Sequence, residues 1–538
     1  MIFSCIRFLI FMKKSDETKA IYLRNKRRFK LFSRSVYSRL IINFFFIAVQ
    51  ISLMILFVIR LQKYLEVYFG ASIILSASFM IFLVNKKGKN EFKLAWIVPM
   101  LSIPLFSIAA YLMYHTNRGS KRQSKRLTEL RAETENFLPP AVQQGLTDIP
   151  ETSKYSDLIH YLTKNNSFYP YKNCGVKYFS CGEDFFPDLL ASIRSAQKYI
   201  FMEYFIIELD ESWADIMAAL EERIAHGVEV RILCDGLGSP VASSVPYQKY
   251  LASKGIHSKV FSKIIPVFST YLNNRDHRKI VVIDGTTAYA GGLNLANEYF
   301  NRGTNRFPYW KDNAVRLQGE AVHTMLQLFL QNWNLNSKTM GEDYHFLEGS
   351  YKTYEDSGIT IPYGDDFYNK KDIAENIYLY IINNAKHYLN ITTPYILIDN
   401  QIQEALLFAA ERGVDVSIIL PSVPDHFLTF CIGKTFLETF VNGGIKIYLY
   451  QKGFIHAKTF ISDDQIATIG SVNLDYRSLF HHFENGVVFI DSPIVSEAKQ
   501  DFENTLKDSY LMQKDDYKKI PWYIRFHGRL FRIFAPLM

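Results

Sequence analysis

Two histidine–lysine pairs stand in the same frame in this 538-residue chain: His277 with Lys279, and His456 with Lys458. Each pair is followed by four residues and an aspartate (Asp284, Asp463), then six residues and a G-[GS]-x-N run. That run supplies Gly291, Gly292 and Asn294 in the first copy, and Gly470, Ser471 and Asn473 in the second. Residues two apart share one face of a strand, so each His points with its Lys. The Asn falls beyond a turn on the returning strand, where a hairpin can bring it back beside them. The glycines keep backbone bulk away from the same spot. These groups suit a phosphodiester, an anion that resists attack. Its chemistry needs cations around the non-bridging oxygens, a nucleophile, and an acid for the departing alkoxide. Lys279, Lys458, Asn294 and Asn473 can hold the oxygens. One imidazole can attack phosphorus while the other protonates the leaving oxygen. The two copies are too alike to say which does which. The lysines already supply positive charge, so no metal and no cofactor is expected.

Asp284 and Asp463 belong to the candidate catalytic signature, but their places at strand ends favour a turn-fixing role. Ser471 is matched by Gly292 in the other copy, which makes it at most an auxiliary phosphate donor. His481 and His482 have no counterpart in the first copy and read as surface residues. Five scattered cysteines without a C-x-x-C argue against a disulfide framework and a structural zinc site.

The elements that carry the signature repeat as well. Tyr199–Asp235 and Tyr388–Pro421 each read as a strand, a polar turn, a helix, a glycine (Gly227, Gly413) and a second strand. The glycines end the helices as left-handed residues would. Strand–helix–strand units predict an α/β sheet with parallel neighbours.

The paired signature resembles the phospholipase D superfamily. The chain from about Leu40 resembles its bacterial cardiolipin synthases, in L-A-W at Leu94–Trp96, E-Y-F-I-I-E-L-D from Glu203, Y-W-K-D at Tyr309–Asp312, T-P-Y-I-L-I-D-N-Q from Thr393, and L-P-S-V-P-D-H at Leu420–His426. That resemblance implies an α/β fold of two sandwich halves related by a pseudo-twofold axis, residues 171–345 and 346–515. It implies His277 as nucleophile, giving a phosphatidyl-histidine, His456 as acid and base, and Asp312 and Glu484 as the carboxylates that orient the histidines. Glu484 lies 11 residues after Asn473 but Asp312 lies 18 after Asn294, so the halves differ there. The implied reaction joins two phosphatidylglycerol molecules into cardiolipin and glycerol. A hydrolytic phospholipase D, a transferase using another lipid donor such as phosphatidylethanolamine, and an inactive lipid-binding membrane scaffold remain open.

Residues 1–131 carry a net charge of +18 and the rest −10, within an overall +8. The acidic larger part speaks against a nucleic-acid partner. The basic part surrounds three apolar runs, 40–59, 67–84 and 94–114. Each is of a length to cross about 30 Å of hydrocarbon as a helix. They predict N-terminal transmembrane helices, a basic tail over 1–39, a connector over 115–170, and a multi-pass protein of the bacterial cytoplasmic membrane in contact with anionic lipids. The charge count favours the tail inside and the catalytic part outside. Phe261–Leu272 reads equally as a lid or a buried loop. Over 516–538, Trp522, Phe526, Leu530, Ile533 and Leu537 recur at helical spacing beside Arg525, Arg529 and Arg532. This is a basic amphipathic helix suited to a lipid interface or to packing on the domain.

Overall fold

The computed structural model describes residues 65–139 and 154–537, apart from 116–117, 264–273, 304, 338–340, 350, 356 and 369–370, with single helical residues at 52, 55 and 142. The basic tail, nearly all of the run 40–59 and most of the Phe261–Leu272 segment lie outside the described residues. The chain divides into two compact units.

The first unit takes in the apolar N-terminal runs. The run 67–84 lies in a helix, Leu65–Asn85, while the run 94–114 is split into Asn90–Ser102 and Pro104–His115. Pro104 lacks an N–H and disfavours a helical Ile103, which stands at φ −139, ψ 73. Lengths of 13 and 12 residues reach only about 20 Å at ~1.5 Å per residue. The helices turn part of their apolar surface on one another: Leu83, Met100, Ile108 and Tyr111 are buried together against Phe79, Trp96 and Ile97. Lys86 Nζ closes the corner by donating to the Tyr111 hydroxyl at 2.8 Å. Among the described residues no helix is long and apolar enough to cross a membrane. This corrects the expectation of N-terminal transmembrane helices and, with it, that of a multi-pass membrane protein.

The second unit holds two sheets. Its strands begin with β1 (Gly175–Phe179), β2 (Tyr199–Tyr204), β3 (Glu229–Asp235), β4 (His257–Phe261), the two-residue β5 (Arg275–Asp276), β6 (Lys279–Ile283), β7 (Thr287–Gly291), the two-residue β8 (Trp310–Lys311) and β9 (Ala314–Gln318). Seven of these form one sheet in the order β1-β9-β7-β6-β2-β3-β4. The chain continues through β10 (Ile359–Asp365), β11 (Tyr388–Thr392), β12 (Ile396–Leu397), β13 (Asp415–Pro421), β14 (Lys446–Tyr450), β15 (Phe454–Ile455), β16 (Thr459–Ser462), β17 (Ile466–Gly470), β18 (Leu474–Asp475), β19 (His482–Ile490) and β20 (Ser509–Leu511). The second sheet runs β10-β19-β17-β16-β11-β13-β14-β20. Apart from β20 the two orders match strand for strand. In each, three neighbouring strands are parallel (β2-β3-β4, β11-β13-β14) and the signature hairpin is antiparallel.

The local causes of the repeat are also shared. Asp210 and Asp399 cap the helices Glu211–Ala225 and Asn400–Glu411, accepting from Trp213 and Ile402 amides. Gly227 and Gly413 follow the helix ends at φ +86 and +90. The next amides, of Val228 and Val414, reach back to the Arg223 and Ala409 carbonyls, a left-handed stop that releases the chain into the second strand.

Asp284 and Asp463 stand at the far ends of β6 and β16 from the histidines. Each carboxylate gathers three consecutive backbone amides: Gln197, Lys198 and Tyr199 for Asp284, and Lys386, His387 and Tyr388 for Asp463. They tie the starts of β2 and β11 to their antiparallel neighbours β6 and β16. Asp284→Ala or Asp463→Ala should therefore lower stability by about 1–3 kcal/mol in denaturant titrations. Activity per folded molecule should stay near that of the parent.

Candidate active site

The short strands beside each signature histidine do not pair within their own half. β5 runs parallel to the start of β19, with Arg275 opposite His482 and Asp276 opposite Phe483. β15 runs parallel to β8, with Phe454 opposite Trp310 and Ile455 opposite Lys311. The register carries on by one residue: the His277 amide donates to the Phe483 carbonyl at 2.9 Å, and the His456 amide to the Lys311 carbonyl at 2.7 Å. The next residues along are Glu484 and Asp312. His277 Nδ1 lies 2.9 and 3.0 Å from the two Glu484 oxygens, and His456 Nδ1 lies 2.7 Å from Asp312 Oδ2. Each histidine is thus held by the other half's carboxylate. The unequal intervals along the chain do not disturb this. Gly291 stands opposite Ala314 and Gly470 opposite Gly486, so Asp312 and Glu484 each precede that partner by two residues.

All four groups are buried, as are Lys279 and Lys458. Lys279 Nζ donates to the His277 carbonyl at 2.6 Å. Lys458 Nζ donates to the His456 carbonyl and stands 3.9 Å from Asp312 Oδ2. An ionised carboxylate only accepts, so Nδ1–H of His277 donates to Glu484, leaving the lone pair on Nε2; at His456, Nδ1 faces both Asp312 Oδ2 at 2.7 Å and Lys458 Nζ at 2.6 Å. Burial pushes His277 down to about 3, helped by Lys279 and opposed by Glu484. Burial and Lys458 bring His456 to about 4, against the pull of Asp312. Burial also lowers Lys279 to about 7 and Lys458 to about 8. Burial would raise Glu484, but His277 and the hydrogen bonds it receives hold it well below the usual carboxylate range. Lys458 and His456 do the same for Asp312. Near neutral pH the site therefore holds two neutral imidazoles between two carboxylates.

Aromatic rings wall it. Phe205 lies 5.1 Å from the His277 ring, centroid to centroid, and Trp310 5.3 Å from that of His456. Such walls limit water at the reacting groups.

The other signature residues divide. Gly291 and Gly470 answer to the neighbouring strand: a Cβ there would come within 2.5 Å of the Asn313 carbonyl and 2.4 Å of that of Asn485. At Gly292 a Cβ would stand 2.1 Å from Asp312 Oδ1, whereas Ser471 at the matching position donates its hydroxyl to Glu484. Asn294 Oδ1 accepts from the Ile206 amide at 3.1 Å, and Asn473 Oδ1 is buried without a hydrogen bond. Two residues escaped the sequence reading. Asn485 Oδ1 accepts from the Lys279 amide at 3.2 Å, and Asn313 Nδ2 donates to the Thr459 hydroxyl at 2.8 Å. The D-N and E-N dipeptides, one in each half, were the available signal. His482, expected at the surface, is 8% exposed because the whole of β19 is buried. Its ring centroid lies 5.3 Å from that of His277.

Gly292→Ala should drive Asp312 off His456. The expected result is a loss of about 1–3 kcal/mol in stability together with a fall in turnover, both larger than for Ser471→Ala. Acid should weaken the fold through the histidines. Unfolded imidazoles titrate near 6.5, above both folded values. The unfolded chain therefore binds more protons as pH drops from about 6.5 towards 4, so this stabilisation is complete above that window and is lost on falling through it. Urea midpoints at pH 7, 6 and 5 should fall in the parent protein and fall less in His277→Asn/His456→Asn.

Over residues 189–333 and 378–506 the chain matches the family described as cardiolipin synthase, PLD-like domain. It is 38% identical over 465 residues to a Streptococcus mutans protein described only as uncharacterized, covering 85% of this chain and 99% of that one. A cardiolipin synthase of Staphylococcus aureus is 30% identical over 488 residues, 88% of this chain and 97% of its own. Among solved structures, the phosphatidylserine synthase of Haemophilus influenzae shares the fold, with a TM-score of 0.52 at 14% identity over 68% of this chain and 95% of that one.

Proposed function

The chain belongs to the cardiolipin synthase, PLD-like domain family, phosphotransferases of the phospholipase D superfamily, and from that premise we propose that it makes cardiolipin from two molecules of phosphatidylglycerol. The observation that carries the reading is the crossed pairing of two imidazoles with two carboxylates. It offers one phosphodiester both a nucleophile and an acid–base group, each oriented by a carboxylate.

The His277 Nε2 lone pair attacks the phosphorus of the first phosphatidylglycerol. The bond from phosphorus to the glycerol oxygen breaks, and His456 gives that oxygen a proton. The products are phosphatidyl-His277 and glycerol. His456, now neutral, takes the proton from the glycerol hydroxyl of a second phosphatidylglycerol as that oxygen attacks phosphorus. The P–N bond breaks, His277 is restored, and cardiolipin leaves. No nucleotide enters the balance. His456 is neutral in the empty site, and the arriving phosphodiester adds the negative charge that favours its protonated form. Lys279 and Lys458, with Asn294 and Asn473, hold the non-bridging oxygens.

What supports His277 as the nucleophile is that both Glu484 oxygens face its Nδ1, whereas His456 Nδ1 meets one Asp312 oxygen that also lies 3.9 Å from Lys458. A phosphorylated imidazole is cationic, and a carboxylate with both oxygens facing it offsets that charge. For the lipid surface, the helix Trp522–Phe531 leaves Trp522, Tyr523, Phe526 and Leu530 exposed. Apolar residues beside Arg525 and Arg529 suit the headgroup boundary.

Purified protein in micelles of phosphatidylglycerol should release glycerol and cardiolipin in equal amounts. Phosphatidic acid as the sole lipid product would replace the transferase reading with a hydrolase. His277→Asn should abolish both covalent phosphatidylation and turnover. His456→Asn should slow turnover by about 10²–10⁴ while label still accumulates. Label trapped on His456 alone in the parent protein would reverse the two roles.

A further inference from the structure

His482 has no place in the reaction, yet it is buried in the site, with Nε2 lacking a hydrogen-bond partner and Nδ1 making no well-aligned hydrogen bond. Its Nδ1 stands 3.4 Å from Glu484 Oε1. Burying an imidazole with one nitrogen unsatisfied and the other poorly aligned costs free energy. His482 stands two residues before Glu484, and its counterpart two residues before Asp312 is Trp310. The two rings even hold the same station, each 5.3 Å from its signature histidine. One half therefore presents an indole, which cannot ligate, where the other presents an imidazole, which can.

We propose that His277, His482 and Glu484 form a zinc-class divalent cation site that switches the enzyme off. All three are buried, and each offers a donor atom within 4.8 Å of the other two. Two imidazoles and a carboxylate are an established donor set for Zn²⁺. Tetrahedral bonds of about 2.0–2.2 Å set donors about 3.3–3.6 Å apart, close to the 2.9 and 3.4 Å at which Glu484 Oε1 stands from His277 Nδ1 and His482 Nδ1. Lys279 and Lys458 oppose a dication here, while Glu484 and Asp312 favour it, so the site is suited to reversible occupation. Its effect follows from the tautomer. A cation on His277 Nδ1 displaces the proton that Nδ1 donates to Glu484. The neutral ring then carries its proton on Nε2, and the nitrogen facing phosphorus has no lone pair to attack with. The consequence for turnover rests on His277 being the nucleophile; the binding itself does not.

The test uses the untagged full chain in detergent, stripped with chelator and titrated with Zn²⁺ against a colorimetric chelator. One zinc per chain should bind to the parent and to His481→Asn. His482→Asn and His482→Trp, the latter copying the other half's packing, should lack that zinc. Turnover of phosphatidylglycerol should fall at least tenfold in the zinc-bound parent and return with excess chelator. The two His482 variants should keep their zinc-free rates in its presence. Zinc binding equal in parent and both variants, no binding by the parent, or full turnover by the zinc-bound parent would each overturn the proposal. Labelling of His277 in zinc-free buffer tests the nucleophile separately, so the two readings fail independently.

Discussion

Neither sheet can build this site alone, because the carboxylate that holds each histidine comes from the other sheet. Two ladders of two residues each, β5 with β19 and β15 with β8, set that exchange. They fix the histidine amides on the carbonyls just before Glu484 and Asp312, and the side-chain pairs follow from the register. The stakes are high because the groups are buried. Removing one partner of a buried charge pair typically costs about 3–5 kcal/mol, and here four ionisable partners share one pocket with two lysines.

The same burial sets the chemistry. In water an imidazole is partly charged near neutrality and a lysine always is. In this site burial lowers all four bases, and the two carboxylates stay ionised because histidine and lysine donors surround them. The result is a pair of imidazoles free of a second proton, beside two lysines whose charge grows when an anion enters. A surface arrangement of the same residues would be solvated and screened, and would offer none of this bias.

Much of the frame was legible in the residues. The signature histidines and lysines, the strand–helix–strand repeat and its glycine stops are local patterns, and local patterns survive without knowledge of tertiary contacts. The crossing was not legible, because which half's carboxylate meets which histidine is decided by pairing between strands far apart in the chain. His482 was misplaced for a related reason: a missing counterpart says nothing about burial, and β19 lies inside the sheet. The run 94–114 was expected to form one helix, but Pro104 divides it. The residue before a proline avoids the helical region, and the short helices find each other to pack on. The asymmetry between Gly292 and Ser471 was visible as letters, but its cause, the reach of Asp312, is a distance.

The ladders have a bearing on how such a chain ages after duplication. A carboxylate placed by strand register is indifferent to how many residues precede it. The stretch between Asn294 and Asp312 is seven residues longer than that between Asn473 and Glu484, yet both carboxylates arrive at the same rung. Insertions there leave the geometry around the two histidines untouched while changing what surrounds it. The two copies were thus free to drift apart in loop length and in neighbours such as Trp310 and His482, with the shared rung keeping them one enzyme.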